Sequence, residues 1–145
     1  MSATLARRYF VRGHAELSRA ENEAASESFR ASMDLMPGFV SARIGYAVAL
    51  ARMGDVPRAA QALRAGLGRS GSPSAQASML LCMGDVLTVG GDFFGAEDAY
   101  RQVAEMRPGD RAAAAGLARV YAKLGRYGDA FSQIAGVAVA RASTK

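Results

Sequence analysis

The sequence predicts an all-α fold of eight helices, arranged as four repeated helix–turn–helix units in a single domain. Three observations predict it. Apolar residues recur at spacings of three and four along the chain, and nowhere in the alternation that marks a strand. Gly54, Gly91 and Gly125 punctuate that pattern at separations of 37 and 34 residues. Behind each glycine the same offsets carry apolar residues: Ala59 and Leu63, Ala96 and Tyr100, Ala130 and Ile134. Ala25 and Phe29 stand one period earlier, with Phe29 and Leu63 34 residues apart. The units run over about 5–38, 39–74, 75–109 and 110–142 of residues 1–145.

Residues 3–18 read as the first helix, packing through Leu5, Tyr9, Arg12 and Gly13. A mid-helix glycine costs up to about 1 kcal/mol relative to Ala, and a close helix approach would explain it. Ser18 and Glu21 have capping-box spacing, but a turn through 19–22 is the better use of these residues. Residues 23–35 form the second helix, with Ala25, Phe29 and Ser32 inward, ended by Pro37-Gly38 because the residue before proline avoids the α region. The third helix, 39–53, turns Tyr46, Ala47 and Leu50 inward. Gly54-Asp55 then makes a turn, and Pro57 falls in the first turn of the fourth helix, where its missing N–H costs nothing. That helix buries Ala59, Ala60 and Leu63 and reaches about Leu67.

The stretch GRSGSPS (68–74) reads as a loop with a three-residue insertion, which accounts for the longer glycine spacing. The fifth helix, about 75–89, turns Leu80, Met83, Gly84 and Leu87 inward. Gly91-Asp92 supplies positive φ and an N-cap for the sixth, whose face is Phe93, Ala96, Tyr100 and Val103 and whose stop is Pro108. The seventh, 111–124, carries Leu117, Ala118 and Tyr121; the eighth, about 127–141, carries Ala130, Ile134 and Val137.

The Gly-Asp-aromatic opening at 91–93, the small Ala96, the aromatic Tyr100 and the terminal Pro108 resemble the second helix of a tetratricopeptide repeat. That family stacks units of about 34 residues into a solenoid, and the resemblance covers nearly the whole chain. It implies a right-handed superhelix, and it departs from the pattern where the first unit lacks the turn glycine and the second and fourth lack the closing proline.

Composition bounds the function. Hydrophobic residues make up 50% and charged residues 21%, a globular balance that excludes a disordered chain. The N-terminal residues lack the apolar core of a secretory signal, and no run approaches the 18 or so apolar residues of a membrane span. A cytoplasmic protein without membrane insertion is the expectation, and 16 Arg against 2 Lys suggests a GC-rich bacterial genome. The net charge of +5 is spread over all four units, which reads as solvated faces with some bias toward an acidic partner and not as a nucleic-acid arm. Cys82, the single cysteine, sits in an apolar run and reads as a buried structural residue.

Catalytic and cofactor patterns fail one by one. GLGRSG (66–71) matches the dinucleotide fingerprint, but a helix precedes it where that mechanism needs a strand. One His and one Cys cannot build a metal site, and His14 has no nucleophile elbow to serve. Glu97 and Asp98 are adjacent on a helix, point apart and read as a solvated face. The expectation is a non-enzyme without cofactor or metal.

The resemblance implies a concave groove lined by the first helix of each unit. Its lining would be Arg7, Phe10, His14 and Leu17; then Ser41, Ile44, Val48 and Arg52; then Ser78, Leu81, Asp85, Thr88 and Val89; and last Ala112, Ala115, Arg119 and Lys123. An apolar strip flanked by cations suits an amphipathic helix or extended peptide with acidic flanks, so the expected function is a protein–protein interaction adaptor. One family branch grips chaperone-tail carboxylates with a Lys/Asn/Lys/Arg clamp; the matching positions, Phe10, His14, Gly45, Ser78 and Cys82, lack it. The small bacterial secretion chaperones, another branch with three such repeats, resemble the chain in size and apolar groove and stand as one alternative, although no motif ties the chain to them. A helical-repeat RNA binder would need a more basic, aromatic groove. Finally, Phe131, Ala135, Ala138 and Val139 lie on faces of the last helix that no further unit covers, where solenoids usually place a polar cap. A self-assembling scaffold is therefore the alternative, against a folded-back tail or a patch too small to matter.

Overall fold

The computed structural model describes the backbone of residues 2–143 and the side chains of residues 2–136. Eight helices follow one another: α1 (Ser2–Ser18), α2 (Asn22–Leu35), α3 (Val40–Arg52), α4 (Val56–Arg69), α5 (Pro73–Val89), α6 (Phe93–Met106), α7 (Arg111–Lys123) and α8 (Tyr127–Ser143). Each helix packs on the next in sequence, and α1, α3, α5 and α7 also touch in series, whereas among the described residues the even helices do not touch one another. Odd helices crowded together and even helices spread apart make a stack that curves toward its odd-numbered layer.

The turn inside each pair is one device used four times. Gly54, Gly91 and Gly125 hold φ of +84°, +82° and +76°, the left-handed region where a Cβ is penalised. The following N–H reaches back to close each helix: Asp55 to Leu50 O and Asp92 to Leu87 O at 2.9 Å, Arg126 to Tyr121 O at 2.7 Å. The first unit keeps this geometry without glycine. Glu21 N donates to Glu16 O at 2.9 Å, and Ala20 takes the glycine's place at φ +59°. Glu21 makes no side-chain cap, so the turn, not a capping box, is what these residues form. Asp55, Asp92 and Asp110 cap α4, α6 and α7 by accepting from the backbone N–H three residues on.

Helix α5 begins earlier than expected. Ser72 caps it and Pro73 occupies its first turn, so only residues 70–72 separate α4 from α5. The three extra residues lengthen a helix instead of a loop, because Ser followed by Pro is a helix start.

The core runs between the layers, with one large side chain from each of α2, α4 and α6 set against small residues of the odd helices. Phe29 is fully buried, and a Cβ added at Gly13 or Gly45 would come within 2.9 or 2.5 Å of its ring. Tyr100 repeats the arrangement between Gly84 and Gly116, each 2.5 Å from the ring by the same measure. Leu63 is buried at the corresponding place in the second unit. The fourth unit breaks the series: Ile134, expected inward, is 62% exposed. Its counterparts are each covered by the following odd helix, and nothing among the described residues follows α8. The side chain of Val137 lies outside the described residues.

Three further expectations are corrected. The buried stripe of α1 is Ala6, Gly13 and Glu16, with Leu5 and Arg12 exposed. Hydrogen bonds from α2 select that face, Ser32 Oγ donating to Ala6 O at 2.7 Å and Ser28 Oγ to Glu16. Arg43 is buried, not solvated; it lies against Gly66 and donates to Ala62 O at 3.0 Å. Burial, with the charge of Arg69, holds its guanidinium below the ordinary arginine range. Glu97 is not a solvated carboxylate either. Its side chain is 13% exposed and meets Arg101 at 3.0 Å and Arg126 at 3.7 Å, while the Tyr121 hydroxyl donates to it at 3.1 Å. This network ties α6 to α7 and to the start of α8.

Candidate functional site

Helices α3 and α5 stand side by side in the odd layer and leave a cleft of about 510 Å³ between them. Ile44, Val48, Ala51 and Arg52 line it from α3, and Ser78, Leu81, Cys82, Asp85, Val86 and Val89 from α5. The lining is possible because α5 is apolar on more than one face. Met79, Leu80, Met83 and Leu87 go to the core while Leu81 and Val89 remain for the cleft. Val89 is 73% exposed at the cleft's edge.

Charged groups frame the apolar floor. Arg52, beside the cleft, donates to Leu17 O at 3.2 Å, which ties it to the end of α1. Asp85 is the negative member. It accepts from the buried Tyr100 hydroxyl and lies 3.4 Å from Arg119 of α7. Burial, then the bond to Asp85, pushes the Tyr100 hydroxyl up to about 12. Burial, with Asp85's charge, likewise pushes the Cys82 thiol up to about 12. At neutral pH Cys82 is therefore a protonated, apolar part of the wall and no nucleophile.

Of the residues singled out from the sequence, Ile44, Val48, Arg52, Leu81 and Asp85 come together in this cleft, with Ser78 and Val89. Arg119 reaches it only through Asp85. Phe10 and His14 belong elsewhere. Phe10 packs on Phe39 and on His14, each with ring centroids 4.9 Å apart, and on Phe29 at 5.9 Å, so an aromatic cluster occupies the α1 end of the groove. Thr88 turns its hydroxyl onto Gly84 O at 2.7 Å. Arg7 is exposed on α1, and Lys123 stands in the last turn of α7. On α8, Phe131 is 72% exposed and Ala135 is exposed with it, whereas the side chains of Ala138 and Val139 lie outside the described residues.

Ala51 and Val86 also line the cleft and were not singled out from the sequence. Their signal is present but ambiguous, since each follows a core residue by one or three positions and could equally belong to the interior. Among the described residues no three His, Cys, Asp or Glu side chains gather as a metal site, and no helix is long and apolar enough to cross a membrane.

A family model described as tetratricopeptide repeat matches residues 4–80, more than half of the chain, and a second with the same description matches residues 90–138. A search of the curated proteins found no match. Solved structures of similar shape include the first TPR of Spaghetti (RPAP3) bound to the HSP90 peptide SRMEEVD. It is 17% identical with a TM-score of 0.70, over 85% of this chain and 95% of that one. The Sgt2 TPR domain from Aspergillus fumigatus is 19% identical with a TM-score of 0.72, over 83% and 79%. MamA from Desulfovibrio magneticus RS-1 is 14% identical with a TM-score of 0.75, over 95% and 76%. At these identities the likeness is one of fold.

Proposed function

The chain belongs to the tetratricopeptide repeat family, and from that premise we propose that it is a non-enzymatic adaptor that docks a partner's peptide or amphipathic helix between α3 and α5. The observation that carries this reading is the cleft itself: an open, mainly apolar trough with a cation at one side and a carboxylate at the other. Such a surface takes two or three apolar anchors at helical or extended spacing and lets the charges choose the register. A related fold, the first TPR of Spaghetti, holds a peptide, which supports peptide binding as the kind of work this scaffold does. Its ligand class does not transfer, because Phe10, His14, Gly45, Ser78 and Cys82 place no cation where the carboxylate clamp of that branch would need one. Arg52 is the cation that remains beside the apolar floor, and an acidic residue next to the partner's anchors would meet it.

Peptides selected from a displayed random library on the wild-type protein test the reading. Selected peptides should carry spaced apolar residues with an acidic neighbour. Leu81→Glu, which sets a carboxylate on the floor, should weaken them by about tenfold or more while helical content stays unchanged. Equal binding to both proteins would place the site elsewhere on the molecule.

A further inference from the structure

We propose that the exposed face of α8 receives the exposed front of α1 from a second copy, so that copies stack head to tail and continue the solenoid. The argument rests on the internal joints and is independent of the cleft. At each joint one large residue of an even helix is enclosed by a position on its own odd helix and one on the next. For Phe29 these are Gly13 and Gly45, and for Tyr100 they are Gly84 and Gly116. In the same register the positions around Leu63 are Ala47 and Cys82, all three buried in one core cluster. The enclosure thus follows the size of what it holds: two glycines for a ring, an alanine and a cysteine for Leu.

Ile134 is the fourth large residue, and the odd helix of its unit, α7, supplies Ala118 in the register of Gly13, Ala47 and Gly84. Its second neighbour must come from the position held by Gly45, Cys82 and Gly116. On α1 that position is Val11. An aliphatic Ile beside Ala118 leaves room for Val11, where a ring would not. The two surfaces are open to the same degree, Val11 at 65% and Ile134 at 62% exposure, although every equivalent in the internal joints is buried. Ala15, next along that face of α1, is exposed where its equivalents Ala49, Val86 and Val120 are buried. Phe131 stands where the earlier units have Ser26, Ala60 and Glu97, whose side chains are buried or nearly so, and it is 72% exposed. Surfaces that are complementary but not identical make a heterologous contact, which adds copies at each end instead of closing a dimer.

Sedimentation from micromolar to millimolar concentration reads the assembly directly. Wild type should grow progressively in mass beyond the dimer. Val11→Glu and Ile134→Glu, both at exposed positions, should each sediment as folded monomers. Mixed one to one, they should form a heterodimer and stop there, because the mixture contains one intact joint and two blocked ends. Three results would overturn the proposal. These are a wild type that stays monomeric throughout, a wild-type dimer abolished by Ile134→Glu and untouched by Val11→Glu (α8 against α8), and a mixture in which the two variants remain monomers.

Discussion

Gly116→Ala adds one methyl group, and the structure says where it goes. The new Cβ would lie 2.5 Å from two ring carbons of Tyr100, against ordinary contacts of 3.4 Å or more, so the ring must retreat by nearly an ångström. It has little room to retreat, since Gly84 also closes on the ring, near enough that a Cβ added there would lie 2.5 Å away, and the hydroxyl is held by Asp85. Overpacking of this kind costs about 1–3 kcal/mol. Replacing a mid-helix glycine by alanine returns about 0.8–1.0 kcal/mol of helix propensity, which leaves a net loss of up to about 2 kcal/mol. Urea unfolding followed by circular dichroism measures it. The same substitution made on Tyr100→Leu, a side chain that the second unit encloses with Ala and Cys, should instead stabilise by up to about 1 kcal/mol. The sign change between backgrounds is the prediction. If Gly116→Ala stabilises the wild type as it does the Leu background, the ring is not enclosed as described, and the size matching behind the head-to-tail joint fails with it.

Ala20→Gly should raise stability by about 0.5–1 kcal/mol, as relief of left-handed strain outweighs the entropy glycine adds to the unfolded chain. The same assay checks it, and a loss of stability would mean that the first turn does not hold the geometry of the other three. Stability should also fall as pH rises from about 9 toward 12. The Tyr100 hydroxyl and Cys82 thiol both titrate near 12 in the folded protein and lower in the unfolded chain, so unfolding releases protons across that window. Tyr100→Phe with Cys82→Ala should flatten the decline, and a decline of unchanged slope would assign it to other groups.

Much of the architecture was legible along the chain because its causes are local. The glycine at each turn, the aspartate behind it and the offsets to Leu63 and Tyr100 act within one helix pair, and the same local rules operate four times. Two readings failed where a local signal was judged from one side only. The run at 68–74 reads along the chain as a loop, although Ser72-Pro73 is itself a helix start. Beside Asp98 the sequence places Glu97 on a solvated face, while its partners lie 24 and 29 residues further on, at Tyr121 and Arg126.

By itself the sequence determined the all-α class, the number of helices and their pairing. Only the tertiary structure decided which residues share a surface. Ile44, Val48, Leu81 and Asp85 meet in one cleft because α3 and α5 pack side by side, while Phe10, at the repeat position of Ile44, is taken up by Phe39 and Phe29. The stack likewise decided that Ile134 is open and Phe29 closed, although the two occupy the same place in their units. Helical periodicity assigns a residue to a face of its own helix. Whether that face meets core, cleft or water depends on the neighbouring helix, and the ends of a solenoid differ from its middle for that reason alone.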